Sequence, residues 1–318
     1  MSPWRGPRVV VTGGAGFLGS HVVDRLRAAG CASVVVPRRR DVDLTERAAV
    51  RRLLDSVRPS TVLHLAAVVG GIGANRAHPA RFFYENAVMG VELLEAARIA
   101  GVGKVVVVGT ACEYPRETAV PFREDDLWNG YPEETNAPYA IAKRALLAGG
   151  QAYRREYGLP VIHVLPANLY GPRDSFDLEH GHVIPALVRK CVEARRRGER
   201  TVSCWGSGTA SREFLYVDDA ARGLLLAAEH YDDEAPVNLA TGEEITIRAL
   251  AATIARIAGY DGEFTWDATR PDGQPRRRLD TSRAERAFGF RATIPLEDGL
   301  ARTLRWFEET VPGTGAAA

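Results

Sequence analysis

The chain has 318 residues, and its 41 Lys and Arg nearly balance its 40 Asp and Glu, leaving a formal net charge of +1. This balance gives no sign of a nucleic-acid or membrane partner. No run of sequence approaches the ~20 apolar residues that a membrane-spanning helix needs. The four cysteines lie far apart, without metal-type spacing, which is typical of reduced thiols. We therefore expect a cytoplasmic globular protein without a metal.

Short β-branched runs alternate with helical patterns in the first half of the chain. The predicted strands are 8–11, 33–36, 61–65 and 104–108, and the predicted helices are 17–29, 47–55 and 80–100. A helix at 139–157 and a strand at 160–166 extend the alternation. Strands alternating with helices predict an α/β fold, a doubly wound parallel Rossmann sheet.

The pattern becomes irregular after Tyr170-Gly171-Pro172. We predict helices at 183–197, 247–258 and 296–308, strands at 201–205 and 236–239, and a long loop at 270–275. Phe214-Leu215-Tyr216-Val217 has the pattern of one more buried strand of the main domain. The predicted division is a larger domain of 1–172 and 213–244, and a smaller α+β domain of 173–212 and 245–311. The small residues of 313–318 predict a disordered tail.

A glycine-rich turn follows the first predicted strand and begins the first predicted helix. It has the spacing Gly13-x-x-Gly16-x-x-Gly19, with Phe17 and Leu18 between the last two glycines. Glycines let the backbone approach a pyrophosphate, and the helix N-terminus supplies free N–H groups. The turn predicts a dinucleotide-binding site in the larger domain.

The end of the second strand distinguishes NADP from NAD. An acidic residue there would hold the ribose 2′-hydroxyl, but the sequence has Arg38, Arg39 and Arg40. Guanidinium groups pair with a 2′-phosphate, which a carboxylate would repel. A solvated basic run is the alternative interpretation. We predict NADP(H), with Asp43 and Leu44 beside the adenine.

Tyr139 and Lys143 are four residues apart, so they share one face of the predicted helix. A nearby ammonium favours phenolate, and we expect it to lower the pKa of the Tyr139 phenol. Such a tyrosine exchanges protons with a sugar oxygen. A surface pair is the alternative, but the glycine turn and the hydroxyl of Thr110 after the fourth strand favour a catalytic set.

This ordered set resembles the extended short-chain dehydrogenase/reductases and, among them, the GDP-L-fucose synthase family. The resemblance covers about residues 8–307. The segments that carry it are 69–75, 135–143, 168–172, 181–187, 205–209, 212–219 and 271–276.

The resemblance implies an NADPH-dependent 3,5-epimerase/4-reductase that converts GDP-4-keto-6-deoxy-mannose to GDP-L-fucose. It implies a reductase triad of Thr110, Tyr139 and Lys143, with Cys112 as base and His182 as acid of epimerisation. Further residues implied to contact NADP, besides Tyr139 and Lys143, are Ala66, Ala67, Pro166, Asn168, Leu169 and His182. The residues implied to contact the nucleotide sugar are Asn168, Arg189, Lys190, Trp205, Arg212 and Arg277.

Three departures from that family leave room for a related sugar substrate. Thr110 replaces the usual serine, and the run Arg38–Arg40 is denser in arginine than the family's. Glu113 stands where the family has an apolar residue, and its carboxylate would disfavour the Cys112 thiolate if it pointed inward. The alternatives are a related enzyme for another nucleotide sugar, an epimerase that retains NADP, a reductase without epimerisation, and a redox-sensing regulator without catalysis.

A homodimer is also implied, with helices 80–100 and 140–157 pairing across a two-fold axis. The apolar residues expected at that interface are Phe82, Phe83, Val91, Leu94, Leu146 and Leu147. The alternative is that these faces pack on the chain's own sheet.

Overall fold

The computed structural model describes residues 3–178, 181–270 and 272–311. The predicted tail at 313–318 and Pro271 of the 271–276 segment lie outside these residues. Of the helices described, none is long and apolar enough to cross a bilayer.

The strands confirm the predicted doubly wound sheet. They are β1 (Arg8–Thr12), β2 (Ser33–Val35), β3 (Thr61–His64), β4 (Lys104–Val108), β5 (Val161–Pro166), β6 (Asn168–Tyr170), β7 (Thr201–Trp205), β8 (Ser211–Arg212), β9 (Phe214–Tyr216), β10 (Val237–Leu239), β11 (Ile245–Thr246) and β12 (Glu263–Asp267). Within the described residues, six of them form one sheet in the order β10-β5-β4-β3-β1-β2. All of its pairs are parallel.

Helices cover both faces of this sheet, as a parallel sheet requires. The helices are α1 (Phe17–Ala28), α2 (Arg47–Val57), α3 (Ile72–Ala77), α4 (Pro79–Ile99), α5 (Ala137–Tyr157), α6 (Val183–Arg197), α7 (Val217–His230), α8 (Ile247–Ala258), α9 (Ser282–Phe288) and α10 (Leu296–Thr310). Val9 and Val11 pack with α1 and α7, whereas Val10 packs with α2, α4 and α5. This split follows from the alternation of side chains along β1.

Helices α4 and α5 pack tightly against each other. A Cβ at Gly90 would lie 2.3 Å from Cδ1 of Leu146. Of the apolar residues predicted for a dimer interface, four are buried inside the chain: Phe82, Leu94, Leu146 and Leu147. Phe83 and Val91 are exposed. The prediction was wrong for the four buried residues, because helical periodicity does not tell a face packed in its own chain from a face packed in a partner.

The second half of the chain builds a separate core from α6, α8, α10 and β7. Strand β9 is buried, as predicted, but it pairs with β6 outside the six-stranded sheet, and Val217 already begins α7. The predicted strand is therefore not part of the six-stranded sheet, although its Leu215 packs in the core beside that sheet. The β10 strand does join the large sheet, beside β5.

Candidate active site

A cleft of about 790 Å³ lies at the carboxyl ends of the parallel strands, where open α/β sheets bind ligands. The smaller core forms its opposite wall. The cleft is lined by the predicted residues Gly13, Gly16, Phe17, Leu18, Gly19, Arg38, Arg39, Asp43, Leu44, Ala66, Ala67, Thr110, Cys112, Tyr139, Lys143, Pro166, Asn168, Leu169, His182, Lys190, Trp205, Arg212 and Arg277. Arg40 and Arg189 do not line it.

The glycine turn passes close to the end of β3. Gly13 has φ of +70°, and a Cβ there would lie 2.7 Å from the Ala66 nitrogen. Gly16 caps α1 without a side-chain hydrogen bond, so the first N–H groups of this helix are free to bind an anion. This cradle fits the pyrophosphate of a dinucleotide.

The three arginines after β2 have different surroundings. Arg38 and Arg39 line the cleft, and Arg39 Nη1 lies 3.2 Å from the Glu85 carboxylate. The side chain of Arg40 is 84% exposed and lies near Asp41. Arg38 and Arg39 thus bring positive charge to the cleft, where Glu85 partly offsets that of Arg39, and Arg40 belongs to the solvated surface.

Lys143 and Tyr139 lie on one face of α5, below the end of β4. Lys143 Nζ donates a hydrogen bond to the Val108 carbonyl oxygen at 2.9 Å, and burial lowers the pKa of Lys143 to about 8. The expected lowering of the Tyr139 pKa was wrong for this structure. Burial raises it, the neighbouring Cys112 raises it further, and a hydrogen bond with Thr110 opposes this only in part.

A single turn of 3₁₀ helix carries Thr110 and Cys112 into the cleft. The Thr110 hydroxyl accepts a hydrogen bond from the Cys112 N–H at 3.2 Å. Oε1 of Glu113 accepts one from the Thr110 N–H at 2.8 Å, which completes a capping box. Glu113 is fully buried and faces His163 instead of the cleft.

His182 caps the N-terminus of α6 and lines the cleft opposite the sheet. Solvent in the cleft reaches the side chain, yet the surrounding protein atoms lower its pKa by burial. The neutral imidazole is therefore the favoured form of His182 in this structure.

The residues predicted to contact the substrate separate into two groups. Lys190 and Trp205 line the cleft, and the Trp205 ring is 53% exposed. Arg212 lies nearby, with a pKa lowered to about 10 by burial and by the charge of Arg277. Arg189 is turned away, because its Nε donates to Glu193 at 2.7 Å and its Nη1 to the Phe176 carbonyl oxygen.

Several polar residues of the cleft were not predicted: Asn75, Glu133, Asn136, Asp272 and Gln274. Asn75 donates to the carbonyl oxygens of Gly70 and Gly71 and so fixes the loop before α3. Among the described residues, the buried Oδ1 of Asn136 has no hydrogen-bond partner. The signal was their position inside or beside the segments that carried the resemblance.

Residues 9–240 match the NAD dependent epimerase/dehydratase family. The chain belongs to this family. It is 40% identical to a GDP-L-fucose synthase of Sinorhizobium fredii over 306 residues, which are 96% of this chain and 97% of that protein. It is also 40% identical to the GDP-L-fucose synthase of Escherichia coli, over 95% of this chain and 97% of the relative.

Solved structures of the same epimerase/dehydratase type share this architecture. A GDP-L-fucose synthetase from Naegleria fowleri, solved bound to NADP, aligns with a TM-score of 0.89 and 32% identity. The alignment covers 97% of this chain and 95% of that one.

Proposed function

We propose that this chain is an NADPH-dependent enzyme that converts GDP-4-keto-6-deoxy-mannose to GDP-L-fucose. The names of its relatives, at 40% identity over nearly the whole chain, support this reaction. The observation that carries the proposal is that Cys112, His182, Tyr139 and Lys143 all line one cleft. The groups for proton transfer at carbon and the groups for proton transfer at oxygen therefore face the same bound substrate.

The cofactor would lie against the glycine turn, with its pyrophosphate at the free N–H groups that begin α1. Arg38 and Arg39 would pair with the 2′-phosphate, since they bring positive charge to that end of the cleft. Asp43 and Leu44 would flank the adenine. When bound, NADPH supplies the hydride that reduces the C4 ketone.

Tyr139 supplies the proton that the sugar oxygen O4 needs during reduction. Its raised pKa keeps the phenol protonated before the reaction. The Lys143 ammonium then stabilises the phenolate that remains. Thr110, whose hydroxyl also accepts from the Cys112 N–H, orients the substrate ketone.

Cys112 and His182 exchange protons with C3 and C5, which the adjacent C4 ketone acidifies. The Cys112 thiolate takes the proton from carbon and becomes a thiol, and His182 returns a proton to the opposite face. The negative charge of the bound substrate would favour the imidazolium of His182, against the effect of burial.

The nucleotide would bind on the side of the smaller core. Arg212 and Lys190 offer positive charge to the diphosphate, and Trp205 offers a ring face to the base. We assign 1–172 and 213–244 to the cofactor domain, and 173–212 and 245–311 to the substrate domain. The second core, built from α6, α8 and α10, supports this division.

We also propose a cytoplasmic homodimer. Four free cysteines, three of them buried, suit a reducing compartment. The exposed apolar side chains on α4, Phe83, Tyr84, Val91 and Ile99, and Tyr157 on α5, support pairing through these helices. Light scattering at micromolar concentration that gives a monomer mass would contradict the dimer.

A panel of nucleotide-linked 4-keto sugars tests the proposed reaction. NADPH oxidation is followed by absorbance, and product stereochemistry by NMR. We expect GDP-4-keto-6-deoxy-mannose to be preferred and the product to be inverted at C3 and C5. Reduction without inversion would identify a simple reductase, and inversion without net NADPH oxidation an epimerase that retains its cofactor.

A further inference from the structure

Cys112 differs from the other cysteines of the chain in its exposure and its neighbour. Cys31, Cys191 and Cys204 are buried, whereas Cys112 is half-buried. Cys112 and Cys204 both line the cleft. Its Sγ accepts a hydrogen bond from Nη1 of Arg277 at 3.4 Å. A guanidinium this close to a thiol favours the thiolate.

Burial and a hydrogen bond to Gln274 hold the Arg277 side chain in this position. It is 8% exposed, and its Nε donates to Oε1 of Gln274 at 3.2 Å. Gln274 is 5% exposed, and its amide donates to the Arg116 carbonyl oxygen at 2.8 Å. The guanidinium is therefore fixed before any ligand binds.

These contacts do not offset the positive charge of Arg277. Gln274 and the thiol of Cys112 are both neutral acceptors, and neither offsets a full positive charge. Arg212 stands close enough for Arg277 to lower its pKa and for Cys112, Asp272 and Glu133 to raise it. The Tyr139 phenol also lies near Cys112. A negative charge on the sulfur would thus lie beside two cations, and the carboxylates of Asp272 and Glu133 lie near Arg212.

We propose that Arg277 stabilises the thiolate of Cys112 and thereby prepares the base of the carbon-proton transfer. The inference rests on the proposed function of this cleft, and it differs from the expectation that Arg277 contacts the substrate. The proton of the Cys112 thiol leaves to solvent before the substrate binds. The thiolate then takes one proton from C3 or C5, and the thiol is restored.

Alkylation with iodoacetamide measures the thiolate directly and needs no substrate. The modified Cys112 peptide is quantified by mass spectrometry across a pH series, and Cys112→Ser identifies it. Arg277→Gln removes the positive charge. Arg277→Lys keeps the charge but loses the planar guanidinium that donates to both Cys112 and Gln274. Arg276→Gln is the matched control, because the Arg276 side chain is 58% exposed and pairs with Glu244 outside the cleft.

We expect Arg277→Gln to slow the alkylation of Cys112 near neutral pH by about tenfold, because the opposite charge that favours the thiolate is lost. Arg277→Lys should lie between wild type and Arg277→Gln, and Arg276→Gln should match wild type.

A second variant acts on the charge of Arg277 without removing its side chain. Gln274→Glu keeps the size of residue 274 and places a carboxylate beside the guanidinium, although it loses the amide donor to the Arg116 carbonyl oxygen. It should also slow alkylation, and its melting temperature measures the cost of the lost hydrogen bond. Unchanged alkylation in both Arg277→Gln and Gln274→Glu would overturn the inference, as would weaker GDP binding as the sole effect of Arg277→Gln.

The proposed function is tested separately by deuterium uptake at C3 and C5 in the wild type. Absent uptake, combined with the predicted alkylation shifts, would contradict the proposed reaction but uphold the pairing of Arg277 with Cys112. Normal uptake without any alkylation shift would uphold the reaction and contradict the role of Arg277.

Discussion

The carboxylate of Glu113 faces the imidazole of His163, with Oε2 and Nε2 separated by 3.1 Å. Glu113 is 0% and His163 2% exposed, and the same carboxylate accepts the Thr110 N–H. A group enclosed in this way does not reach a substrate in the cleft. The pair instead stabilises the turn that presents Thr110 and Cys112.

Glu113→Gln should therefore leave carbon-proton transfer nearly intact and reduce stability. We expect the free energy of unfolding to fall by about 1–3 kcal/mol, because a buried charge-assisted hydrogen bond becomes a neutral one. Urea denaturation measures the loss, and His163→Asn should produce a similar one. Loss of deuterium uptake at unchanged stability would instead make Glu113 the base.

Lys143 predicts the pH dependence of reduction. Its pKa of about 8 lies below the ordinary lysine value because of burial, so the ammonium is present below pH 8 and is lost as the pH rises through it. In the proposed mechanism, reduction needs that ammonium to stabilise the Tyr139 phenolate. We expect kcat/KM for NADPH oxidation to fall above about pH 8, and a constant value between pH 7 and 9 would contradict this.

The same pKa has a consequence for stability. Between pH 8 and about 10.5 the unfolded chain binds more protons than the folded chain at this position, so the contribution of Lys143 to stability rises with pH in that window. Lys143→Met should remove this rise. Denaturation of both proteins at pH 7.5 and 9.5 provides the comparison.

The turn at Gly13 has no room for a larger side chain. In Gly13→Ala the new Cβ would lie 2.7 Å from the Ala66 nitrogen, which forces the turn away from the cleft. We expect NADPH affinity to fall at least tenfold. Gly101→Ala is the matched control, because Gly101 has φ of +65° but open space around it. Both variants should bear the left-handed strain of ~1–2 kcal/mol, and a similar loss of affinity in both would refute the steric explanation.

Arg38 and Arg39 predict the choice of cofactor. Replacing both with alanine should weaken NADPH binding by more than tenfold and leave NADH binding within a few-fold, because only NADPH carries the 2′-phosphate. Arg47→Ala is a suitable control, since Arg47 pairs with Glu92 on the surface. Fluorescence titration of both cofactors decides it, and an equal loss for both would contradict the assignment.

The sequence predicted the Rossmann half of the fold well because its signals are local. β-branched runs and helical periodicity located β1, α1 and β4 almost to the residue. Among the elements that it missed, α7, α9 and β12 are set by contacts with distant segments. The pairing of β9 with β6 has no local signature at all.

Local sequence signals were likewise insufficient to predict the surroundings of the residues in the cleft. Motif spacing brought Tyr139 and Lys143 to one face of a helix, as expected. Burial, however, reversed the expected direction of the Tyr139 pKa and enclosed Glu113 with His163. Neither effect is readable from spacing, because both depend on what packs around the motif.

The central claim is that one cleft holds two separable proton transfers, and Tyr139→Phe tests it most directly. The variant is incubated in deuterated water with NADPH and GDP-4-keto-6-deoxy-mannose, and NMR follows the C3 and C5 protons while absorbance follows NADPH. We expect oxidation to fall about a hundred- to ten-thousand-fold, with C3 and C5 still exchanging for deuterium. Cys112→Ser, the complementary variant, should lose exchange. If Tyr139→Phe loses both activities together, or keeps NADPH oxidation near the wild-type rate, the division of roles is wrong.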